Sequence, residues 1–280
     1  MSPDRSQAAY AASAADLALR ALDALQGAGG TAMVADHVER TDDPKAALAA
    51  IRIVGADVFA PCLLAGEGLH PADAAAVAQS FAVFPPPVST PAPPPAGAAE
   101  PWLAAWRDWG TASLLARFAG TDTGAMPVGT DADGIPAAAE GTERNGPVTA
   151  GVAGALAPRP TGAPQLAEAG SDPAETTWQT WSTRMGQLSP LALPGLESPV
   201  HAMARAAPQA LARGATRAVL RRDFPTAARV ARWLALLAAE GEPLPLDPAP
   251  LVEHLRLHGG GPRLALDVAI ARRLLGVEDV

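Results

Sequence analysis

Residues 200–240, VHAMARAAPQALARGATRAVLRRDFPTAARVARWLALLAAE, decide the fold class of this chain. The stretch is rich in alanine and leucine and predicts one helix over 200–220 and another over 225–240. Two more helices are expected over 248–258 and 262–276, the first of them primed by Asp247-Pro248. Short helices with brief connections indicate antiparallel pairs, so residues 200–280 are predicted to form a C-terminal bundle or a piece of α-solenoid.

The N-terminal part, residues 1–84, shows the same kind of pattern. An Ala- and Leu-rich helix is expected over 7–26, ended by a glycine cluster. Asp43-Pro44 and His70-Pro71 each place a proline at the first position of a further helix. We therefore expect a small N-terminal helical domain of three or four short helices.

Between these two parts the sequence is poor in large hydrophobic residues. Residues 85–99 hold seven prolines, which predicts a stiff proline-rich linker, with a ligand for an SH3- or WW-like groove as the alternative. Residues 100–199 form a Trp-containing region with a short helix over 101–118 and a second aromatic helix starting at Asp172. Ten glycines and seven prolines lie between residues 119 and 177, so the chain is expected to be largely disordered between 120 and 170.

Composition limits the classes of protein that fit. The chain of 280 residues contains 66 Ala, 26 Gly and 29 Pro, which argues against one densely packed core or a β-rich sandwich. A single cysteine excludes an intramolecular disulfide. No signal peptide or membrane-spanning segment is expected, which predicts a cytoplasmic protein of bacterial type. The predicted fold is all-α, with two small helical bundle or solenoid-like domains joined by a Pro/Gly-rich, partly disordered middle region with short Trp-bearing helices.

Five of the six tryptophans lie on the two aromatic helices at helical spacing. They are Trp102, Trp106, Trp109, Trp178 and Trp181. One interpretation is that the two helices pair in a small aromatic core. The alternatives are an apolar stripe for a partner helix, a lipid layer or a polymer granule, and a ligand pocket. These Ala-rich, Trp-bearing helices resemble parts of granule-associated phasins and of accessory subunits of polyhydroxyalkanoate synthases, but only over two short helices and in no defining motif, so no family is assigned.

A stripe of arginines marks the C-terminal part. Arg213, Arg217 and Arg221 repeat every four residues and share one helix face. Residues 200–280 carry 11 basic and 8 acidic side chains, within a chain whose net charge is −8. The stripe is interpreted as a solvated face, a contact for the acidic N-terminal part, or a surface for nucleic acid or anionic lipid.

Few residues offer catalytic or metal chemistry. His254 and His258 stand one helical turn apart and are weak candidates for metal ligands, but they lack the glutamate of an H-E-x-x-H motif. Cys62 fits a buried cysteine better than a nucleophile. No catalytic residue and no cofactor is assigned, and an enzymatic role is the less favoured one.

The function predicted from these features is a non-enzymatic helical adaptor or assembly subunit. It would bind another protein, as part of a larger complex, through the five tryptophans and the arginine stripe. A metal-binding or enzyme subunit using His254 and His258 is one alternative, and a protein associated with a lipid or granule surface through its Trp stripes is another. Nucleic-acid binding through the arginines is the least favoured.

Overall fold

The computed structural model describes residues 3–94, 96–121, 156–165 and 177–277. These residues form α-helices, two short 3-10 segments, turns and extended connections, and no strand occurs among them. The all-α fold predicted from the sequence is therefore confirmed.

The described part of the chain forms twelve α-helices. In chain order they are α1 Pro3–Leu25, α2 Met33–Arg40, α3 Pro44–Val54, α4 Ala60–Leu64, α5 Pro71–Val83, α6 Ala99–Thr121, α7 Trp178–Gln187, α8 Pro199–Ala206, α9 Pro208–Leu220, α10 Phe224–Ala239, α11 Pro248–Leu257 and α12 Pro262–Leu274. The 3-10 segments are Gly55–Phe59, between α3 and α4, and Ser189–Leu191, after α7.

Proline at the first helical position explains where many of these helices begin. The helix starts predicted at Asp43-Pro44, His70-Pro71 and Asp247-Pro248 are all confirmed, and in each the preceding side chain accepts a hydrogen bond from the first turn. Proline has no amide hydrogen to leave unpaired at that position, and its fixed φ suits a helix. These boundaries are therefore set by local sequence.

Three features differ from the sequence prediction. The N-terminal part contains five α-helices, α1 to α5, instead of the three or four expected. The helix expected over 200–220 is divided into α8 and α9 by Ala207 and Pro208, because a proline at this point begins a new helix instead of continuing the old one. The aromatic helix expected from Asp172 begins at Trp178, after Thr177 in an extended conformation. Residues 166–176 lie outside the described residues.

Apolar side chains from most of the helices pack into one large cluster. It includes buried residues from Ala14 in α1 to Ile270 in α12. Helix α10 is central, because it packs against α7, α9, α11 and α12. Helix α1 packs against both α3 and α12, which brings the two ends of the chain together. The proposed domain boundaries at 84, 99 and 199 stay predictions.

The middle of the chain contributes an extended segment, residues 156–165, to this packing. Ala157 and Ala163 are buried in it. The disorder predicted between 120 and 170 falls mainly on residues 122–155 and 166–170, which lie outside the described residues. The proline-rich stretch 85–94 is not helical, and Pro93 lies beside Gly162 of the extended segment.

One stretch of the described chain, residues 44–64, is long and apolar enough to cross a membrane by length and composition alone. It comprises α3, the first 3-10 segment and α4, and 72% of its most apolar window is buried inside the fold. A buried core helix passes the same test, so this is weak evidence for a membrane span.

Candidate functional site

The structure places the five predicted tryptophans in two environments. Trp102, Trp106 and Trp181 are fully buried in the apolar cluster. Trp109 and Trp178 are half-buried. Surface binding through the first three indoles would require their exposure, which this structure does not provide. Trp178 is therefore the tryptophan of α7 that a partner can reach, and Trp109 is its counterpart on α6.

The two aromatic helices are linked through the extended segment. The indole Nε1–H of Trp102 donates to the carbonyl of Thr161 at 3.0 Å, and that of Trp181 donates to the carbonyl of Pro164 at 2.7 Å. Each buried indole thus satisfies its N–H group on a neighbouring stretch of backbone. Both helices contribute buried indoles to the large apolar cluster, but the ring contacts between tryptophans lie within α6, from Trp102 to Trp106 and from Trp106 to Trp109. The pairing of the two helices in one aromatic core stays a prediction, and the tryptophan spacing does not predict the shared acceptor segment.

Trp178 and the arginine stripe meet at the surface. The guanidinium carbon of Arg213 lies 4.5 Å from the ring centroid of Trp178, and that of Arg217 lies 6.0 Å from it. Arg213 and Arg221 are exposed and Arg217 is half-buried. We call Trp178, Arg213, Arg217 and Arg221 the Trp178 face. A cation over an indole is held by the electrostatic field of the ring, so Arg213 is positioned with its charge in contact with solvent.

A second group of charges, absent from the predicted site, lies in the interior. Arg232 of α10 bonds Asp57 through both terminal nitrogens, at 2.6 and 3.0 Å, and Asp267 of α12 at 2.7 Å. Arg263 also bonds both aspartates. Asp57, Arg232 and Asp267 are fully buried, whereas the Arg263 side chain is 26% exposed. We call these four residues the buried charge cluster.

Local sequence explains how Asp57 reaches this position. Helix α3 ends at Val54 and is followed by Gly55, whose φ of +68° suits glycine because it has no Cβ. The chain then enters the 3-10 segment that carries Asp57 into the core. An aspartate inside the apolar run 44–64 was the one signal in the sequence that a buried partner exists.

The electrostatics of the cluster keep Asp57 and Arg232 charged. Burial alone raises the pKa of Asp57, but Arg232 and Arg263 reverse that effect and hold it below the usual value. Burial alone lowers the pKa of Arg232, but Asp57 and Asp267 raise it above its usual value. A charged, bidentate pair of this kind is the form in which arginine and aspartate tolerate burial.

A half-open cleft of about 540 Å³ lies beside this cluster. Its walls come from α1, the end of α3, α6, the end of α7, the Ser189–Leu191 segment, α10 and the start of α12. Arg229 and Arg263 line it, together with Ser189 and the paired Arg107 and Glu100. The cleft is mostly apolar with a few convergent polar groups, which is typical of small-molecule sites.

The weak metal and nucleophile candidates lie elsewhere. His254 and His258 are exposed, with ring centroids 4.2 Å apart, and Nδ1 of His258 is engaged with the carbonyl of His254 at 2.8 Å. Within the described ranges no group of three or more His, Cys, Asp or Glu side chains could hold a metal ion. Burial, with Glu67 and Asp73 nearby, raises the pKa of Cys62 to about 11, so its thiol stays protonated and weakly nucleophilic at neutral pH.

Comparisons with known proteins add no relative. No family model matches the chain, and no curated protein sequence or solved structure matches it at a significant level. What the fold defines is the class of all-α proteins. The function is therefore inferred from the Trp178 face, the buried charge cluster and the cleft.

Proposed function

We propose that this protein is a non-enzymatic helical adaptor or assembly subunit that binds an acidic segment of another protein through the Trp178 face. The observation that carries the proposal is the stack of Arg213 and Arg217 on Trp178 at the surface. Tryptophan and arginine are the residues most often found at the energetic centre of protein interfaces.

Charge supports an acidic partner. The stripe continues from Arg217 to Arg221 and Arg222, both exposed. Asp223 is the acidic residue beside them, and its carboxylate accepts a hydrogen bond from the first turn of α10 at 3.1 Å. The face therefore presents an excess of positive charge, which attracts and orients an acidic surface.

The small amount of exposed apolar surface favours a protein partner over a lipid or granule surface. Leu220, at the end of α9, is 80% exposed and adjoins the arginines in sequence. Three of the five indoles that a Trp-based lipid contact would use are buried. An exposed leucine close in sequence to a stacked arginine suits the apolar centre and polar rim of a protein interface.

The test is affinity capture from the native cell with a matched pair of charge-reversal variants. Tagged full-length protein is compared with Arg213→Glu/Arg217→Glu and with Arg40→Glu/Arg256→Glu, which reverses two exposed arginines of α2 and α11. Partners that are retained by the wild type and the control, and lost by the first variant, support the proposal once crosslinking places an acidic segment of the partner on α9. Purified partner should bind the first variant at least about tenfold more weakly, with the affinity falling as salt rises.

Two outcomes contradict the proposal. In the first, all three proteins retain the same partners to the same extent, which removes the Trp178 face from binding. Alternatively, the material lost by the first variant disappears from the wild type after nuclease treatment, which assigns the face to nucleic acid.

A further inference from the structure

Arg229, on the wall of the cleft, has one long ion-pair contact among the described residues. Nε of Arg229 lies 4.0 Å from Oδ2 of Asp267, beyond hydrogen-bonding distance, and the Arg229 side chain is 36% exposed. Arg263, on the same wall, is held in place by the two buried aspartates. The cleft thus has one fixed guanidinium and a neighbouring one that can turn toward an acceptor.

Ser189 supplies an independent sign that something polar belongs in the cleft. The residue is 1% exposed and lines the cleft. Among the residues that the structure describes, its Oγ has no hydrogen-bond partner. A buried hydroxyl without a partner is unfavourable, and a ligand oxygen in the cleft would satisfy it.

The start of α12 adds a third element. Its N-cap residue Gly261 and its first two residues, Pro262 and Arg263, all line the cleft. No side chain caps this helix at its N-terminus. The positive end of a 13-residue helix therefore faces the same space as the two guanidiniums and favours an anion there.

Charge and shape narrow the class of anion. Arg229, Arg232 and Arg263 carry three positive charges, and Asp57 and Asp267 carry two negative ones, which leaves a net charge of +1. The pair formed by Arg107 and Glu100 at 2.7 Å contributes no net charge. The remaining walls are largely apolar and include the following residues: Ala11, Ala14, Ala15, Ile53, Val54 and Pro190. A singly charged anion with an apolar body complements both features.

We infer that the cleft binds a small organic monocarboxylate. Its carboxylate would lie between Arg229, Arg263 and the Ser189 hydroxyl, and its apolar body would lie against the alanines of α1. The cleft volume of about 540 Å³ falls within the range of small-molecule sites. This inference is independent of the Trp178 face and does not require a protein partner.

Calorimetric titration of the full chain near pH 7 tests it with defined probes. Acetate, hexanoate and benzoate are compared with hexanamide and with inorganic phosphate. Hexanoate and benzoate should bind at least about tenfold more tightly than hexanamide, because only the carboxylates pair with the guanidiniums. They should also bind more tightly than acetate, which lacks the apolar body. Phosphate binding should be weaker than that of hexanoate.

Variants locate the binding in the cleft. Arg229→Gln removes the charge with little loss of length and should weaken hexanoate binding about tenfold. Ser189→Ala should weaken it by a factor of about three to ten. Arg256→Gln, an exposed arginine of α11 outside the cleft, is the matched control and should bind as the wild type does. Thermal unfolding of each variant without ligand shows that it is folded.

Four results overturn the inference. The first is equal affinity for hexanoate and hexanamide, which assigns any binding to apolar contacts alone. The second is tighter binding of phosphate than of every carboxylate. The third is a lack of heat and of thermal stabilisation with all three carboxylates at millimolar concentration. The fourth is an equal loss of binding in Arg229→Gln and Arg256→Gln.

Discussion

Arginines on two adjacent helices have opposite surroundings in this protein. Arg232 of α10 is fully buried between Asp57 and Asp267. Arg213 and Arg217 of α9 lie over Trp178 at the surface. The first group joins segments that are 175 residues apart in the chain, whereas the second is positioned by an aromatic ring and keeps contact with solvent.

The contrast shows that substitution of an arginine should lower the free energy of unfolding by different amounts in the two places. A buried ion pair adds little stability compared with apolar residues that replace both partners. Loss of one partner alone, however, leaves an uncompensated charge in the core and is strongly destabilising. A guanidinium over a half-buried ring at the surface contributes about 0.5–1 kcal/mol, and its loss leaves no unpaired charge in the core. The stability of the fold therefore depends on the buried group, whereas the surface group is the one available for binding.

The largest effect is expected from Arg232→Met. This change leaves Asp57 and Asp267 with Arg263 as the remaining cation that bonds them, and it should lower the free energy of unfolding by about 3–5 kcal/mol. Arg213→Met should lower it by less than about 1 kcal/mol. Urea denaturation of both variants measures the difference, and equal losses would contradict the contrast.

A second substitution sharpens this result. Asp57→Asn added to Arg232→Met leaves Asp267 paired with Arg263, so the charges in the core balance again. The double variant should be more stable than the sum of the two single losses predicts, by about 1–3 kcal/mol. Strictly additive losses would show that the four groups do not act as one cluster.

A smaller effect is expected within helix α7, which carries one buried and one accessible tryptophan. Trp181→Phe removes the hydrogen bond to Pro164, leaves that carbonyl without a partner and opens a small cavity. The expected loss of unfolding free energy is about 2–3 kcal/mol. Trp178→Phe keeps a ring beneath Arg213 and should cost under about 1 kcal/mol. Equal losses would show that the segment 156–165 contributes nothing to the stability of α7.

Local features of the fold could be read from the sequence. The starts of α3, α5 and α11 depend on a capping residue followed by proline, and that signal lies within three or four positions. The common face of Arg213, Arg217 and Arg221 follows from helical spacing in the same way. Both kinds of prediction need no knowledge of what packs against the helix.

Non-local features could not be read from it. Asp57 and Arg232 meet across 175 positions, and the cleft collects residues from seven parts of the chain. Periodicity also cannot tell whether an apolar stripe faces the core or a partner. Both interpretations therefore fit the spacing of Trp102, Trp106 and Trp181, which are buried in the structure. The pairing of Trp178 with Arg213 depends on how α7 and α9 pack, which no single helix encodes.

Two buried histidines extend the contrast between interior and surface to pH. His201 interacts through Nε2 with the carbonyl of Leu191 at 3.0 Å and through Nδ1 with the hydroxyl of Ser198 at 2.9 Å. Burial lowers its pKa below the usual 6.5. Burial also lowers the pKa of His37, although Asp16 opposes the effect at 3.0 Å. The folded chain thus keeps both imidazoles neutral at a pH where the unfolded chain has begun to protonate them.

The smallest effect follows from this difference in proton binding. Well above pH 6.5, near pH 8, neither state protonates the two histidines to a large extent, and their contribution to stability is fully present. As the pH falls below 6.5 the unfolded state binds more protons than the folded state, so the free energy of unfolding decreases. Urea denaturation between about pH 8 and 5.5 should show this decrease, in a range well above the pH at which the depressed pKa of Asp57 matters.

His201→Gln should be less stable overall but should show a shallower pH dependence, whereas Trp178→Phe, which changes no titratable group, should keep the slope of the wild type. An unchanged slope in His201→Gln would mean that protonation of His201 does not differ between the folded and unfolded states.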